Sequence, residues 1–263
     1  MQYGIIKIPV TDLRSGPDSA QERLSQALFG TPVKIGSTQK GFSRVVLPEG
    51  YRGWCRSGHI EPVTKNRLAQ YAKRRKIRVK AASVRVRGPV YGPKDQFLLY
   101  LGTELIVSSS AGETRFEMPG GGMVRISQSA LKMQVGKNRK ISGRIIINTS
   151  RIFLGTPYLW GGISPAGIDC SGLVQMVYRF HGLELARDSR DQRREGIAVK
   201  RDSVRAGDLL FFPGHVALSC GGNRFIHASA QRGMTVIDSF DSEAPNYRPD
   251  LDRGFEFARR IIP

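Results

Sequence analysis

One feature limits the possible folds of this chain more than any other: its hydrophobic pattern changes near residue 142. Before that point, apolar residues come in strand-length runs separated by Gly and Pro turns. After it, a helical spacing comes first and strands follow. A chain ordered this way predicts small β-rich domains first and an α+β domain last.

In residues 3–63 the strand-like runs are Ile5–Val10, Thr31–Ile35, Ser43–Leu47 and Gly53–Arg56. Ser15-Gly16-Pro17 and Pro48-Glu49-Gly50 supply the turns, and Ala20–Phe29 reads as one or two helical turns. Residues 64–75, TKNRLAQYAKRR, read as a basic connector. Strand signals then resume at Ile77–Val86, Phe97–Leu99, Glu104–Val107, Thr114–Met118 and Met123–Ile126, with Gly120-Gly121-Gly122 as a loop. Val84-Arg85-Val86-Arg87 has the period of two that a half-buried strand requires. Both halves open with a strand followed by a Gly-Pro pair, Gly16-Pro17 and Gly88-Pro89, which suggests two related small barrels. The expected boundaries are 1–63, 64–140 and 141–263.

From residue 142 onward, Ile145–Leu154 has helical spacing. The clearest helix is Asp169–Phe180: Asp169 suits the N-cap, Leu173, Met176, Val177 and Phe180 form one stripe, and Gly182 stops it. Asp208–Phe212, Val216–Cys220 and Arg224–Ala228 read as strands, the last two joined near Gly221-Gly222.

Charge is uneven. Residues 64–140 carry 17 basic and 4 acidic side chains, +13 of the chain's formal +19. Such a segment suits an anionic partner, or forms a solvated surface that aids solubility. No aromatic-interleaved nucleic-acid motif accompanies it. No apolar run reaches about 18 residues, so no membrane-inserted helix is expected. The start, MQYGIIKIPVTDLRSG, lacks the pattern of a secretory signal, so a cytoplasmic protein is expected, or a secreted one if a leader has been removed.

The three cysteines, Cys55, Cys170 and Cys220, form no paired spacing and suggest free thiols. Cys170 stands directly after a helix N-cap. Unpaired amides and the positive end of the helix dipole meet there and favour thiolate, the nucleophilic form. A lone cysteine is otherwise a small buried hydrophobe. A nucleophilic thiolate needs a histidine to share its proton. Of the four, His181 ends the Cys170 helix and His59 reads as a loop residue. His215 and His227 fall on the two hairpin strands, within about one residue of facing each other, so one could orient the other. Each histidine alone is as compatible with a structural role. No clustered metal ligands are visible, and this chemistry needs no cofactor.

These residues also carry a resemblance. GTPYLWGGISPAGIDCSGLVQMVYRFHG, ARDSRDQ, AGDLLFF, GHVALSCGGNRFIHAS and the terminal FARRI closely resemble the NlpC family of cell-wall cysteine peptidases, over about residues 145–262. The two preceding barrels look like bacterial SH3-like domains. The layout is similar to γ-D-glutamyl-L-diamino acid endopeptidases, which recycle wall peptides. The resemblance implies an α+β, papain-like cysteine peptidase domain behind two SH3-like β-barrels, with Cys170, His215 and His227 as its triad. It implies a stem peptide, L-Ala-γ-D-Glu followed by a diamino acid, with a free amine on L-Ala. Asp169 is the acidic position for that amine, and Tyr158, Ser171, Asp188 and Ser189 match substrate-recognition positions. Glu22 and Tyr51 look like contact residues of the first barrel. Ala186 stands where a proline is common. Arg187 and Arg190 read as solvated, and Trp54 and Trp160 as core packing. The rival expectations are a secreted hydrolase of intact wall, a non-catalytic module holding an anionic polymer, and acyl transfer by the same thiol chemistry.

Overall fold

A computed structural model describes residues 2–88, 96–110, 113–132 and 141–262, and counts of elements refer to these. The chain divides into two compact units, Met1–Val135 and Gly136–Pro263.

The first unit opens with β1 (Gln2–Ile6), β2 (Val10–Arg14), β3 (Arg23–Leu28), β4 (Pro32–Gln39), β5 (Phe42–Val46), β6 (Arg52–Arg56) and β7 (Ile60–Val63). They form one antiparallel sheet in the order β3-β2-β6-β5-β4-β1-β7. Ile6, Leu13, Val33, Val45, Cys55 and Ile60 fill its core. The single strand expected over Ile5–Val10 is two strands, because residues 7–9 carry the chain between non-adjacent positions in the sheet. The helical turns expected over Ala20–Phe29 are the strand β3. Asp12 on β2 accepts from Arg23 Nε at 2.7 Å and Gln26 Nε2 at 3.1 Å, and this cross-strand pairing overrides local propensity.

The expected connector is a helix, α1 (Lys65–Lys73), capped by Thr64, whose hydroxyl accepts from the Arg67 amide at 3.2 Å. None of its residues is buried. Beyond it come β8 (Ile77–Val79), β9 (Ser83–Arg87), β10 (Gln96–Tyr100), β11 (Glu104–Leu105), β12 (Val107–Ser110), β13 (Glu113–Glu117), β14 (Met123–Arg125) and β15 (Leu131–Lys132). These make three small sheets, β10-β9, β11-β8-β15 and β12-β13-β14. The strand expected over Ile77–Val86 is therefore broken, its halves belonging to different sheets. Of the expected Gly88-Pro89 turn, Pro89 lies outside the described residues.

A second core gathers Val79, Leu99, Leu105, Phe116 and Val124, and it includes Phe29 from the first sheet. The Phe29 ring lies 6.0 Å from Phe97 and 5.7 Å edge-on from Phe116. Gly30, at φ +78°, makes that insertion possible. A Cβ there would sit 2.8 Å from the Glu104 carbonyl oxygen. One aromatic residue thus ties residues 2–63 to the next segment, and both fall in one compact unit.

The second unit begins with α2 (Gly143–Ser150), extended by a tight helical turn over Arg151–Phe153. A short hairpin, β16 (Ile163–Ser164) and β17 (Gly167–Ile168), leads into α3 (Cys170–Phe180). Then follow α4 (Ser189–Gln192), β18 (Ile197–Val199), β19 (Leu209–Phe212), β20 (His215–Gly221), β21 (Arg224–Ser229), β22 (Met234–Ser239), α5 (Pro249–Arg253) and β23 (Phe257–Arg260). The strands from β18 on form an antiparallel sheet ordered β18-β23-β19-β20-β21-β22. Helix α3 packs against β16, β20 and β21, and every residue in it except Arg179 is buried. A buried helix on an antiparallel sheet is the α+β arrangement expected for this part of the chain.

Candidate active site

Cys170 is the first residue of α3 and its thiol is buried. Asp169 caps the helix, its Oδ1 accepting from the Gly172 amide at 2.7 Å. A side chain at Gly172 would collide with its surroundings, since a Cβ there would lie 2.2 Å from the Gly162 carbonyl oxygen. The helix start therefore presses directly onto the backbone of the β16–β17 hairpin. Burial pushes the Cys170 thiol up to about 11, and the Asp169 charge adds to it. The Val216 and Ser171 amides and the Arg187 guanidinium pull the other way. The amide of Val216 puts the thiol beside the strand that begins with His215.

His215 and His227 meet: Nε2 of the first lies 2.8 Å from Nδ1 of the second. They are not within one residue of facing each other, as the sequence suggested. The β20–β21 ladder pairs Leu218 with Ile226, a register that sets His215 two residues from His227 along the neighbouring strand. A bulge between Ser219 and Gly221 is decisive. Continued from the Gly221–Arg224 pair at the turn without the bulge, the register would put the two histidines on opposite faces of the sheet. Burial, His227 and Arg248 hold His215 down at about 3; burial also lowers His227, against the pull of Asp238. Both rings are therefore neutral at pH 7.

Sequence reasoning missed what stands behind them. Asp238 on β22, 1 % exposed, places Oδ2 at 3.1 Å from His227 Nε2 and 2.9 Å from Arg248 Nη1, and Oδ1 at 3.2 Å from Arg232 Nη2. Arg248 also reaches Asp250 and Gln231, both at 2.6 Å. The available signal was strand alternation. β21 pairs His227 with Val236, so Asp238 falls on the same face as His227, one diagonal away.

Of the residues expected to recognise substrate, Asp169 stands at the centre of a hydrogen-bonded cluster that includes Ser171. Its oxygens accept from Arg187 Nη1 at 3.1 Å and Nη2 at 2.6 Å, from Ser171 Oγ at 3.2 Å and from the Gly161 amide at 2.8 Å. The carboxylate that was expected to await a substrate amine is already paired and buried. Arg187 is likewise not solvated: it is 4 % exposed and also donates to Ser171 Oγ at 2.8 Å. Arg190 is exposed, as expected. Asp188 and Ser189, half-buried, start α4. Gln192 ties that turn to the nucleophile's helix by donating to the Ser171 and Ala186 carbonyls at 3.0 and 2.8 Å. Tyr158 faces the same place. Burial, with Cys170 and Asp169 adding, raises its hydroxyl to about 12, so it stays protonated. Trp160, expected in the core, is 59 % exposed, while Trp54 is half-buried.

Glu22 and Tyr51 belong to the first unit. Glu22 is exposed just before β3, and half-buried Tyr51 donates to the Leu24 carbonyl at 3.4 Å. His59 pairs with Thr11, and His181 caps α3 and meets Thr149. Among the described residues, no group of three or more His, Cys, Asp or Glu is placed to hold a metal ion.

A thiol at the start of a buried helix, set against an antiparallel sheet that presents paired histidines, is the layout of a papain-like cysteine peptidase. Known proteins agree. Residues 155–248 match the NlpC/P60 family, and residues 9–61 match the bacterial SH3 domain. The γ-D-glutamyl-L-lysine dipeptidyl-peptidase of Bacillus subtilis is 32 % identical over 81 % of this chain and 74 % of its own length. Dipeptidyl-peptidase 6 of Lysinibacillus sphaericus is 28 % identical over 94 % of this chain and 95 % of its own. The crystal structure of an NlpC/P60 family protein from Bacillus cereus superposes with a TM-score of 0.87 at 22 % identity, covering 99 % of this chain and 100 % of that one. The chain belongs to the NlpC/P60 family.

Proposed function

We propose that this protein is a dipeptidyl-peptidase of peptidoglycan stem peptides that hydrolyses the bond between γ-D-glutamate and the following L-diamino acid. The observation that carries the reading is the His215–His227 contact at 2.8 Å on the strand whose Val216 amide meets the Cys170 thiol. The γ-D-glutamyl-L-lysine dipeptidyl-peptidase of Bacillus subtilis supports this substrate class, and the dipeptidyl-peptidase of Lysinibacillus sphaericus supports release of a dipeptide.

The resting thiol and imidazole are both neutral at pH 7, so His215 acts as a general base during attack. The Cys170 sulfur adds to the γ-glutamyl carbonyl as its proton passes to His215. His215 then protonates the departing amine of the diamino acid, leaving a γ-glutamyl thioester. Water, deprotonated by the same imidazole, hydrolyses it to release L-Ala-D-Glu. His227 orients His215. Protonated Tyr158 stands ready to donate to the developing oxyanion or to the peptide. Asp169 and Arg187 hold the helix start; the parts of Ser171, Asp188 and Ser189 in substrate recognition follow from the family resemblance. The proposed parts of Glu22 and Tyr51 in peptide recognition rest on the family resemblance alone, as does recycling of freed peptides inside the cell.

Mass spectrometry of L-Ala-γ-D-Glu-diaminopimelate and its N-acetylated twin tests this. Cleavage of the free peptide by wild type, with a loss of about 10⁴-fold or more in Cys170→Ala, is expected. Cleavage of both twins removes the free-amine requirement; cleavage of neither overturns the substrate assignment. A second reading, retention on an anionic wall polymer, is favoured by exposed Lys65, Lys73, Arg75, Lys80, Arg85 and Arg87. It predicts cosedimentation with sacculi that fades with salt.

A further inference from the structure

The buried carboxylate behind the histidines has no role in the scheme above. We infer that Asp238 is a positioning residue that sets the tautomers of both His227 and His215 and so aims a bare nitrogen at Cys170. The inference rests on the proposed thiol mechanism, which it deepens.

The argument is one of donors and acceptors. Asp238 sits between two guanidinium groups, Arg248 at 2.9 Å and Arg232 at 3.2 Å. Ionised, it can only accept. Burial alone would raise its carboxyl, but the hydrogen bond from His227 and the two arginines outweigh that and hold it below the usual range. At the 3.1 Å contact His227 must therefore donate from Nε2. In a neutral ring the proton on Nε2 leaves Nδ1 as an acceptor. Nδ1 of His227 is the atom 2.8 Å from His215 Nε2, so His215 must donate there. In neutral His215 the remaining nitrogen, Nδ1, is then bare. That is the nitrogen left to take the thiol proton, and no other arrangement of protons satisfies both contacts with both rings neutral.

Geometry supports a built relay. The groups step across three adjacent strands, β20 to β21 to β22, each one diagonal from the last on a single face. His227 and Asp238 are each 1 % exposed, so no water offers a substitute partner. At one end of the relay His215 opens the strand whose Val216 amide meets the Cys170 thiol, and at the other stand Arg232, Arg248, Asp250 and Gln231. When His215 takes the proton it becomes imidazolium, with its Nε2–H already donated to His227. Asp238 stays ionised and no second proton moves. The arginines keep that carboxylate from becoming a competing base.

The test reads tautomers without turnover. In the full-length wild-type enzyme with ¹⁵N-labelled histidine, long-range ¹H–¹⁵N correlation at pH 7 should show His215 and His227 both neutral and both protonated on Nε2. A His227 protonated on Nδ1 would overturn the inference, whatever the substrate proves to be. Asp238→Asn offers an amide that can donate to His227 and reverse the relay. We expect kcat to fall about 10²- to 10⁴-fold with KM changed less than about threefold, and the His227 proton to shift to Nδ1. Asp238→Glu keeps the carboxylate and should retain the wild-type tautomers and restore at least tenfold of the loss. Asp238→Asn with near-wild-type kcat and unchanged tautomers would sink the idea. If wild type cuts none of the γ-D-glutamyl peptides, the substrate assignment fails while the correlation spectra still judge the relay.

Discussion

Helices α1 and α3 start the same way and do opposite things. Each begins with an oxygen-bearing cap that accepts from the amide three residues on, Thr64 from Arg67 and Asp169 from Gly172. In α1 nothing is buried and the cap is exposed. In α3 all but one residue is buried, and the cap is itself ion-paired to Arg187 inside the protein. A cap alone stabilises a helix end. A cap locked into a buried pair fixes the position of the next residue, which here is Cys170. The difference lies in tertiary packing around the cap, not in the local signal.

Four variants would break or sharpen that contrast. The largest effect should come from Asp169→Asn, which leaves the Arg187 guanidinium buried without its partner; a loss of about 3–5 kcal/mol in the second unit's unfolding transition is expected, with activity falling in parallel. Denaturant melts resolve it. Gly172→Ala comes next. Its methyl would collide with the Gly162 carbonyl, so about 1–3 kcal/mol and a displaced nucleophile are expected, read by melts and by the rate at which iodoacetamide alkylates Cys170. Thr64→Ala should cost about 1 kcal/mol in the first unit and leave turnover unchanged. An equal loss of activity in Thr64→Ala would dissolve the distinction between the two caps.

The smallest and most gradual effect is acid sensitivity. Folded His215 and His227 titrate below the ordinary histidine value of 6.5, so the unfolded chain binds protons that the folded chain refuses. Their contribution is present above pH 6.5 and is lost as pH falls toward the folded His215 value of about 3. The slope is on the order of 1.4 kcal/mol per pH unit for each such histidine. His215→Asn should flatten the fall in the second unit's melting temperature between pH 6.5 and 4; an unchanged slope would assign the sensitivity elsewhere.

What could be read in the sequence follows the same line between local and distant causes. The Asp169–Phe180 helix was legible because cap, apolar stripe and Gly182 lie within fourteen residues. Cys170 at its start and the hairpin near Gly221-Gly222 were legible for the same reason. Helix α1 was not: with Leu68 and Tyr71 as its only large apolar residues, it resembles a charged linker. β3 carries helix-compatible residues and is a strand only because β2 pairs with it. Arg187 looked solvated because its partner is eighteen positions upstream. The histidine register turned on a one-residue bulge that no alternation pattern announces, and Asp238 could be found only once the β21–β22 pairing was known.

The Phe29 insertion has a consequence for how the chain can be cut. A fragment ending at residue 63 would keep its own sheet yet present a naked phenyl ring where Phe97 and Phe116 had enclosed it. The matching fragment from residue 64 would carry a hollow of the same shape. Neither piece is a self-sufficient module, and each would seek company: the first as sticky oligomers, the second as a partly molten chain. Mixed together, they should rejoin through that ring and through the Tyr71 hydroxyl, which donates to the Gly30 carbonyl at 2.9 Å.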